Sequence, residues 1–196
     1  MENLIAHSSD EPRKHLFKLL VDFALERREV ILASGQTSDI YLDCRQVYFR
    51  GEAHFLIGEL FYQKMLEIEK KFLGFSACGG MAMGSIPLSL ALSAAAFRRG
   101  RELPGFAVRK DSKDHGMKSI IEGNKCLAPG SQILIVEDVV TTGGSALKAI
   151  QELRNVGVNV SHMLAIVDRE QGGAQNLLEN GVKLEALFSL KDFLGA

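Results

Sequence analysis

From residue 73 onward the chain repeats one arrangement, in which short apolar runs are separated by segments whose apolar residues recur at helical spacing. The runs are "LGFSA", "PGFAV", "QILIVEDVV", "VSHMLAIVD" and "VKLEALF", and helices are predicted at 86–99, 144–155 and 173–179. A strand that is apolar on both faces must be covered on both faces. The alternation therefore predicts an α/β fold, a parallel sheet flanked by helices. Ligands of such sheets sit at the carboxyl ends of the strands, so chemistry is sought in the segments that follow these runs.

The first part of the chain has a different texture. Residues 11–27 place Leu16, Leu19, Leu20, Phe23 and Ala24 at helical spacing behind "SSDEP", where Ser9 or Asp10 can cap and Pro12 enters the first turn. "EVILASGQTSDIYLDCRQVYF" then alternates around a turn cluster, which predicts short strands meeting in a hairpin or small sheet. A second helix, about 52–71, carries Leu56, Ile57, Leu60, Phe61 and Ile68 on one stripe. The segment of about 1–50 is expected to form a small helix/strand hood packed on the core. At 196 residues and 46% hydrophobic composition, the chain suffices for one substantial core, and a single domain spanning 1–196 is expected.

A net charge of −1 supplies no general basic field, so neither nucleic acid nor an anionic membrane is an expected partner. The longest nearly apolar stretch, "IPLSLALSAAAF", is too short to cross a bilayer. Cys44, Cys78 and Cys126 form no CxxC pair, which argues against zinc and against a secreted disulfide framework. A cytoplasmic protein is expected. The histidines show no metal-ligand spacing, and His162 on an apolar run reads as a core histidine.

"VEDVVTTGGS", residues 136–145, is the most informative strand end. Gly143 and Gly144 allow a tight turn, Thr141, Thr142 and Ser145 add hydroxyl donors, and the following helix start contributes partial positive charge. Such a turn can cradle an anion, although ordinary strand-to-helix turns share the composition. Glu137 and Asp138 would repel an anion unless it also brought hydroxyls, a metal ion or positive charge developing in a reaction, and a sugar phosphate meets that condition. "VRKDSKDHG", residues 108–116, gathers Arg109, Lys110, Lys113 and His115 in a polar stretch that could close over a diphosphate, or simply be a solvated loop. "VDREQGG", residues 167–173, presents Arg169, whose fork suits a planar acidic ligand or a structural ion pair. "CGGMAMGS", residues 78–85, could bring backbone amides near a second anion or merely connect a strand to the next helix.

Together these segments resemble the type I phosphoribosyltransferase family, in its orotate-using branch. "ILIVEDVVTTGGSAL" is similar to the family's motif for 5-phosphoribosyl 1-pyrophosphate (PRPP), "RKDSKDHG" to its mobile catalytic loop, "DREQGG" to its orotate-contacting segment and "SGQTSDIYLDCR" to its N-terminal substrate segment. The resemblance runs from about residue 33 to 173 with the motifs in order. It implies that Thr141, Thr142, Gly143, Gly144 and Ser145 hold the 5-phosphate of PRPP, with Val139 and Val140 also in the PRPP site. It implies ribose contacts and transition-state stabilisation by Glu137 and Asp138, and pyrophosphate contacts by Arg109, Lys110, Lys113 and His115, with Lys113 catalytic. Thr141 and Arg169 would touch orotate. Mg²⁺ would arrive on the PRPP diphosphate with no direct protein ligand, and a homodimer would form in which the 109–116 loop acts across the interface. Where the family commonly has lysine in "LKSG" and "YKGIP", this chain has Ala33 and Gly84. Either backbone amides and the remaining cations replace those lysines, or the base differs. Transfer to another base such as a purine, and a non-catalytic PRPP-sensing regulator, are the rival readings.

Overall fold

A computed structural model describes residues 10–31, 37–71, 74–110 and 120–195. Its centre is a six-stranded sheet made of β3 (Ala77–Met81), β4 (Gly105–Val108), β5 (Ile121–Glu122), β6 (Gln132–Val140), β7 (Asn159–Asp168) and β8 (Lys183–Ser189). The spatial order is β5-β4-β3-β6-β7-β8, and every pairing is parallel except that of β4 with β5. The helices α4 (Ser85–Phe97), α5 (Gly144–Asn155) and α6 (Gly173–Glu179) connect successive strands, as the alternation predicts.

Ahead of the sheet lie α1 (Asp10–Phe23), an antiparallel hairpin of β1 (Leu25–Ile31) and β2 (Thr37–Leu42), the short α2 (Arg45–Tyr48) and α3 (Gly51–Glu69). A last helix, α7 (Leu190–Leu194), follows β8. Two buried clusters cover the two faces of the sheet. One joins α1, α2, α3 and α4 to β6, β7 and β8 through residues such as Leu20, Phe61, Leu92, Leu134 and Phe193. The other packs Ala146, Ala149, Ile150 and Leu153 of α5, at i, i+3, i+4 and i+7, against Ile133, Ile135 and Met163. His162, read as a core histidine, is half-buried rather than buried, with its Nδ1 2.9 Å from the Ser161 hydroxyl and its ring edge-on to Phe75.

Several expectations are corrected. The strand read at "LGFSA" is instead β3, "ACGGM". Its start is displaced because Phe75 is unavailable to a ladder: its N–H donates to Glu69 Oε1 at 2.6 Å and its carbonyl accepts from Arg101 Nη2 at 2.7 Å. The glycines read as a loop lie inside this strand, where a Cβ on Gly79 would come within 2.2 Å of the Phe106 carbonyl oxygen. The opening helix ends at Phe23 rather than 27, and Phe23 is 44% exposed, its ring beneath the Arg50 guanidinium, rather than part of the buried stripe. Helices read at 52–71 and 86–99 close two residues early, at Glu69 and Phe97. Ser9, offered as a cap, lies outside the described residues.

Candidate active site

The carboxyl ends of β3, β4, β6 and β7 meet on one edge of the sheet, with β6 between β3 and β7. Backbone bonds hold these ends together: Ala82 N–H donates to the Val108 carbonyl at 2.7 Å and Arg169 N–H to the Val140 carbonyl at 2.9 Å. Glu137 and Asp138 occupy the end of β6, each half-buried. Each carboxylate folds back on the chain, Glu137 Oε1 accepting from Asp138 N–H at 3.2 Å and Asp138 Oδ1 from Val139 N–H at 2.8 Å. Burial, and then the negative charge of Asp138, push the Glu137 carboxyl well above the usual carboxylate range, with Lys110 opposing.

The turn after β6 is the candidate anion cradle. Gly143 caps α5 in the left-handed region at φ +79°, a conformation glycine adopts without steric cost, and its carbonyl accepts from Leu147 N–H at 2.9 Å. Thr142, Gly144 and Ser145 are exposed and Thr141 is half-buried. The first turn of α5 carries no acidic residue, so the unpaired amides at its start remain attractive to an anion.

Behind this turn lies α6. A Cβ on Gly173 would sit 2.4 Å from the Thr141 carbonyl oxygen and 2.6 Å from Val140 Cγ1, and Asn176 Nδ2 donates to the Thr142 carbonyl at 3.0 Å. Neither residue stands out in the sequence. "DREQGG" draws attention to the glycines as the end of a ligand segment, not as a packing surface for another turn.

The hood closes one side. Arg169 is 4% exposed and its Nη2 donates to the Ile40 carbonyl of β2 at 2.8 Å, linking the hairpin to the end of β7; burial lowers its pKa from the ordinary value, with Tyr41 opposing. Burial and then the negative charge of Asp138 raise both the Cys44 thiol and the Tyr48 phenol, the latter to about 12. The sequence offered no sign of that, because α2 reaches the site from almost a hundred residues away. On the opposite side Gly84 follows the turn after β3, and a Cβ there would meet Asp138 Oδ1 and Glu137 Oε1, each at 3.0 Å.

Arg109 continues β4, its N–H donating to the Ile120 carbonyl at 2.8 Å and its Nη1 3.7 Å from Glu122 Oε1. Lys110 follows, exposed and acting on Glu137. Lys113, His115 and Ala33 lie outside the described residues. Among the described residues no group of three or more His, Cys, Asp and Glu side chains is arranged to hold a metal ion.

An acidic pair stands beside a glycine- and threonine-rich turn at the centre of a parallel α/β sheet, and the chain belongs to the phosphoribosyl transferase domain family, whose model matches residues 52–177. The orotate phosphoribosyltransferase of Sorangium cellulosum is 40% identical over 182 residues, 93% of this chain and 93% of that protein. The solved orotate phosphoribosyltransferase of Mycobacterium tuberculosis H37Rv superposes with a TM-score of 0.75 at 33% identity, over 92% of this chain and 98% of that chain. The structure of that enzyme in complex with PRPP gives a TM-score of 0.71 at 27% identity, over 93% of this chain and 91% of that one.

Proposed function

We propose that the chain is an orotate phosphoribosyltransferase, converting PRPP and orotate to orotidine 5'-monophosphate and pyrophosphate in pyrimidine biosynthesis. The observation that carries this reading is the adjacency of the Glu137–Asp138 pair to the cradle formed by Thr141–Ser145. A ribose phosphate places an anionic end and a ring that becomes cationic within one molecule, and so uses both halves of the site.

In this reading the hydroxyls of Thr141, Thr142 and Ser145 and the amides of Gly143 and Gly144 hold the 5-phosphate, with Val139 and Val140 fixing the strand end. Glu137 and Asp138 accept hydrogen bonds from the ribose hydroxyls and stabilise positive charge at the anomeric carbon. The orotate ring nitrogen forms its bond to that carbon as the bond to the diphosphate breaks, and the bonding pair leaves with pyrophosphate. Arg109, Lys110, Lys113 and His115 stabilise the growing negative charge on the leaving group and exclude water. Arg169, already at the junction of β7 and the hairpin, and Thr141 face the base. Mg²⁺ belongs to the substrate here as the magnesium salt of PRPP, where it neutralises the diphosphate; the oxygen donors of the site suit a hard cation held chiefly by phosphate.

The working unit is proposed to be a homodimer. Ile86, Leu90 and Phe97 are exposed and fall on one face of α4, Phe97 by 69%, with exposed Met83 in the turn just ahead of the helix, so the apolar stripe begins beside Gly84 at the site. A second copy seated on the stripe would bring its 109–116 loop to the neighbouring site. The clusters that tie the hood to the sheet support a single domain of 1–196. No helix among the described residues is long and apolar enough to cross a membrane; a cytoplasmic location is proposed.

The test is direct. Incubation with PRPP, Mg²⁺ and individual bases should consume orotate, read as loss of its absorbance, and release pyrophosphate. Turnover of a purine with none of orotate would overturn the reading.

A further inference from the structure

The cradle is built on glycines, which raises the question of what keeps its peptides facing the right way. A peptide unit between two residues can rotate as a rigid plate, exchanging the directions of its C=O and N–H. The exchange costs least beside glycine, which tolerates both signs of φ. At an anion site the exchange is damaging, since it replaces a donor by an acceptor aimed at the ligand. The peptide joining Thr142 to Gly143 is the most exposed to this failure, because Gly143 sits at φ +79° and Gly144 follows it.

Asn176 addresses that peptide. Its Nδ2 donates to the Thr142 carbonyl at 3.0 Å, from the α6 side of the turn. In a trans peptide the N–H points opposite to the carbonyl, so pinning this carbonyl against α6 turns the Gly143 N–H away from α6. Two other residues of α6 press on the same turn. Leu177 Cγ would be 3.3 Å from a Cβ on Gly143, and Gly173 passes so near Thr141 that a Cβ on it would come within 2.4 Å of the Thr141 carbonyl oxygen. Asn176 itself is set by its N–H bond to the Gly172 carbonyl at 3.0 Å, and its carbonyl accepts from Asn180 Nδ2 at 2.8 Å. Neither of these involves the side chain amide that holds Thr142.

We infer that Asn176 is a positioning residue for the phosphate cradle: its amide locks the Thr142–Gly143 peptide in the orientation that presents the Gly143 N–H to the 5-phosphate, and α6 serves as the splint for the cradle. The inference deepens the proposed function and rests on the reading that residues 141–145 hold a ribose phosphate. The side-chain amide of Asn176 is engaged by the Thr142 carbonyl, so its loss should weaken what the phosphate contributes and leave the rest unchanged.

The variant Asn176→Ala keeps the backbone bonds of α6 and improves its helix propensity, so the protein should fold with an unchanged melting temperature. Calorimetric titration with magnesium PRPP, and separately with ribose 5-phosphate, should show affinity about five- to tenfold weaker for both, the loss expected of one hydrogen bond. The KM for orotate should not move, and Asn176→Gln should restore part of the loss. Amide hydrogen exchange at Gly143 and Gly144, followed without ligand, should be faster in Asn176→Ala than in the parent. Affinities within twofold of the parent together with unchanged exchange would overturn the inference. So would a fall in affinity that tracks a lowered melting temperature and loosened exchange throughout α6, since Asn176 would then support folding alone. Failure of the parent protein to bind PRPP or ribose 5-phosphate would refute the ligand reading instead, and the exchange measurement would still decide whether Asn176 pins the turn.

Discussion

Gly80 lies in β3 where that strand passes between β4 and β6, and the approach to β6 is close enough to forecast what an added methyl does. A Cβ on Gly80 would stand 2.5 Å from the Val136 carbonyl oxygen and 3.0 Å from Ser85 Cβ. An ordinary carbon–oxygen contact is about 3.3–3.6 Å, so one strand must retreat by nearly an ångström. The obstacle is backbone in the middle of a sheet and has no rotamer by which to escape. Overpacking of this kind costs about 1–3 kcal/mol, and a chain of this size loses about 2–4 °C of melting temperature per kcal/mol. Gly80→Ala should therefore melt about 2–12 °C below the parent in scanning calorimetry. Val136 directly precedes Glu137, so the displacement reaches the carboxylate pair, where misplacement by an ångström can cost about a hundredfold in rate. Its kcat should fall on the order of ten- to a hundredfold at a temperature where the variant is folded. Leu153→Ala is the control: it opens a cavity under fully buried Leu153, in the last turn of α5, and should cost about 2–5 kcal/mol with kcat retained. A Gly80→Ala protein melting with the parent would refute the close approach. One that melts lower with kcat intact would refute the coupling of β3 to the acidic pair.

Because the folded protein raises the Glu137 carboxyl above its ordinary value of 4.5, the native state binds that proton more tightly than the unfolded chain does. Its stabilising contribution is complete below pH 4.5 and is lost as pH rises through the folded value, at about 1.4 kcal/mol per unit of displacement; ligand-free Glu137→Gln should thus melt above the parent at pH 7–8, lose that advantage near pH 4.5, and be inactive. A melting difference independent of pH would contradict it. Lys113→Ala should lower kcat far more than it raises the KM for PRPP, since its partner charge grows in the transition state, and an unchanged kcat would remove Lys113 from that role. Leu90→Asp, on the exposed stripe of α4, should shift sedimentation from dimer towards monomer and lower activity with it; a dimer of undiminished strength would place the interface elsewhere.

Most of the sheet was legible because its information is local. The runs at β4, β6, β7 and β8 are apolar enough to demand cover on both faces, and α5 and α6 fall on their expected residues, 144–155 and 173–179. β3 was misplaced because its sequence is poor in strand-forming side chains and its position is set by neighbours: the Glu69–Arg101 pair that consumes the backbone of Phe75, and the room between β4 and β6 that only glycine fits. The same distinction runs through the site. Glu137, Asp138 and the cradle lie in one stretch and declare their chemistry together. Tyr48, Cys44 and Asn176 reach that stretch from other parts of the chain, and no periodicity or spacing encodes such meetings.

Gly84 shows how one of the missing lysines can be absent at so charged a place. A side chain leaving its Cα would begin 3.0 Å from an oxygen of each carboxylate. Lysine at this position would therefore run along both acidic groups and neutralise them before any ligand arrived. With glycine the pair faces bare backbone, and burial and then the Asp138 charge hold Glu137 high, with the Lys110 charge opposing. In the proposed reaction the compensating charge is left to the reacting ligand, whose ring becomes cationic only as the bond to pyrophosphate breaks. Placing charge stabilisation in the transition state and leaving the ground state less well matched favours turnover over tight binding. Gly84→Lys tests this directly, since the atoms its Cβ meets are the ends of side chains and can give by a few tenths of an ångström. The ammonium should return Glu137 towards its ordinary value, flattening the fall of stability with rising pH, and PRPP should bind more tightly while kcat drops. If the pH dependence of melting in Gly84→Lys matched the parent, the carboxylates would not be facing the position that the missing lysine vacates.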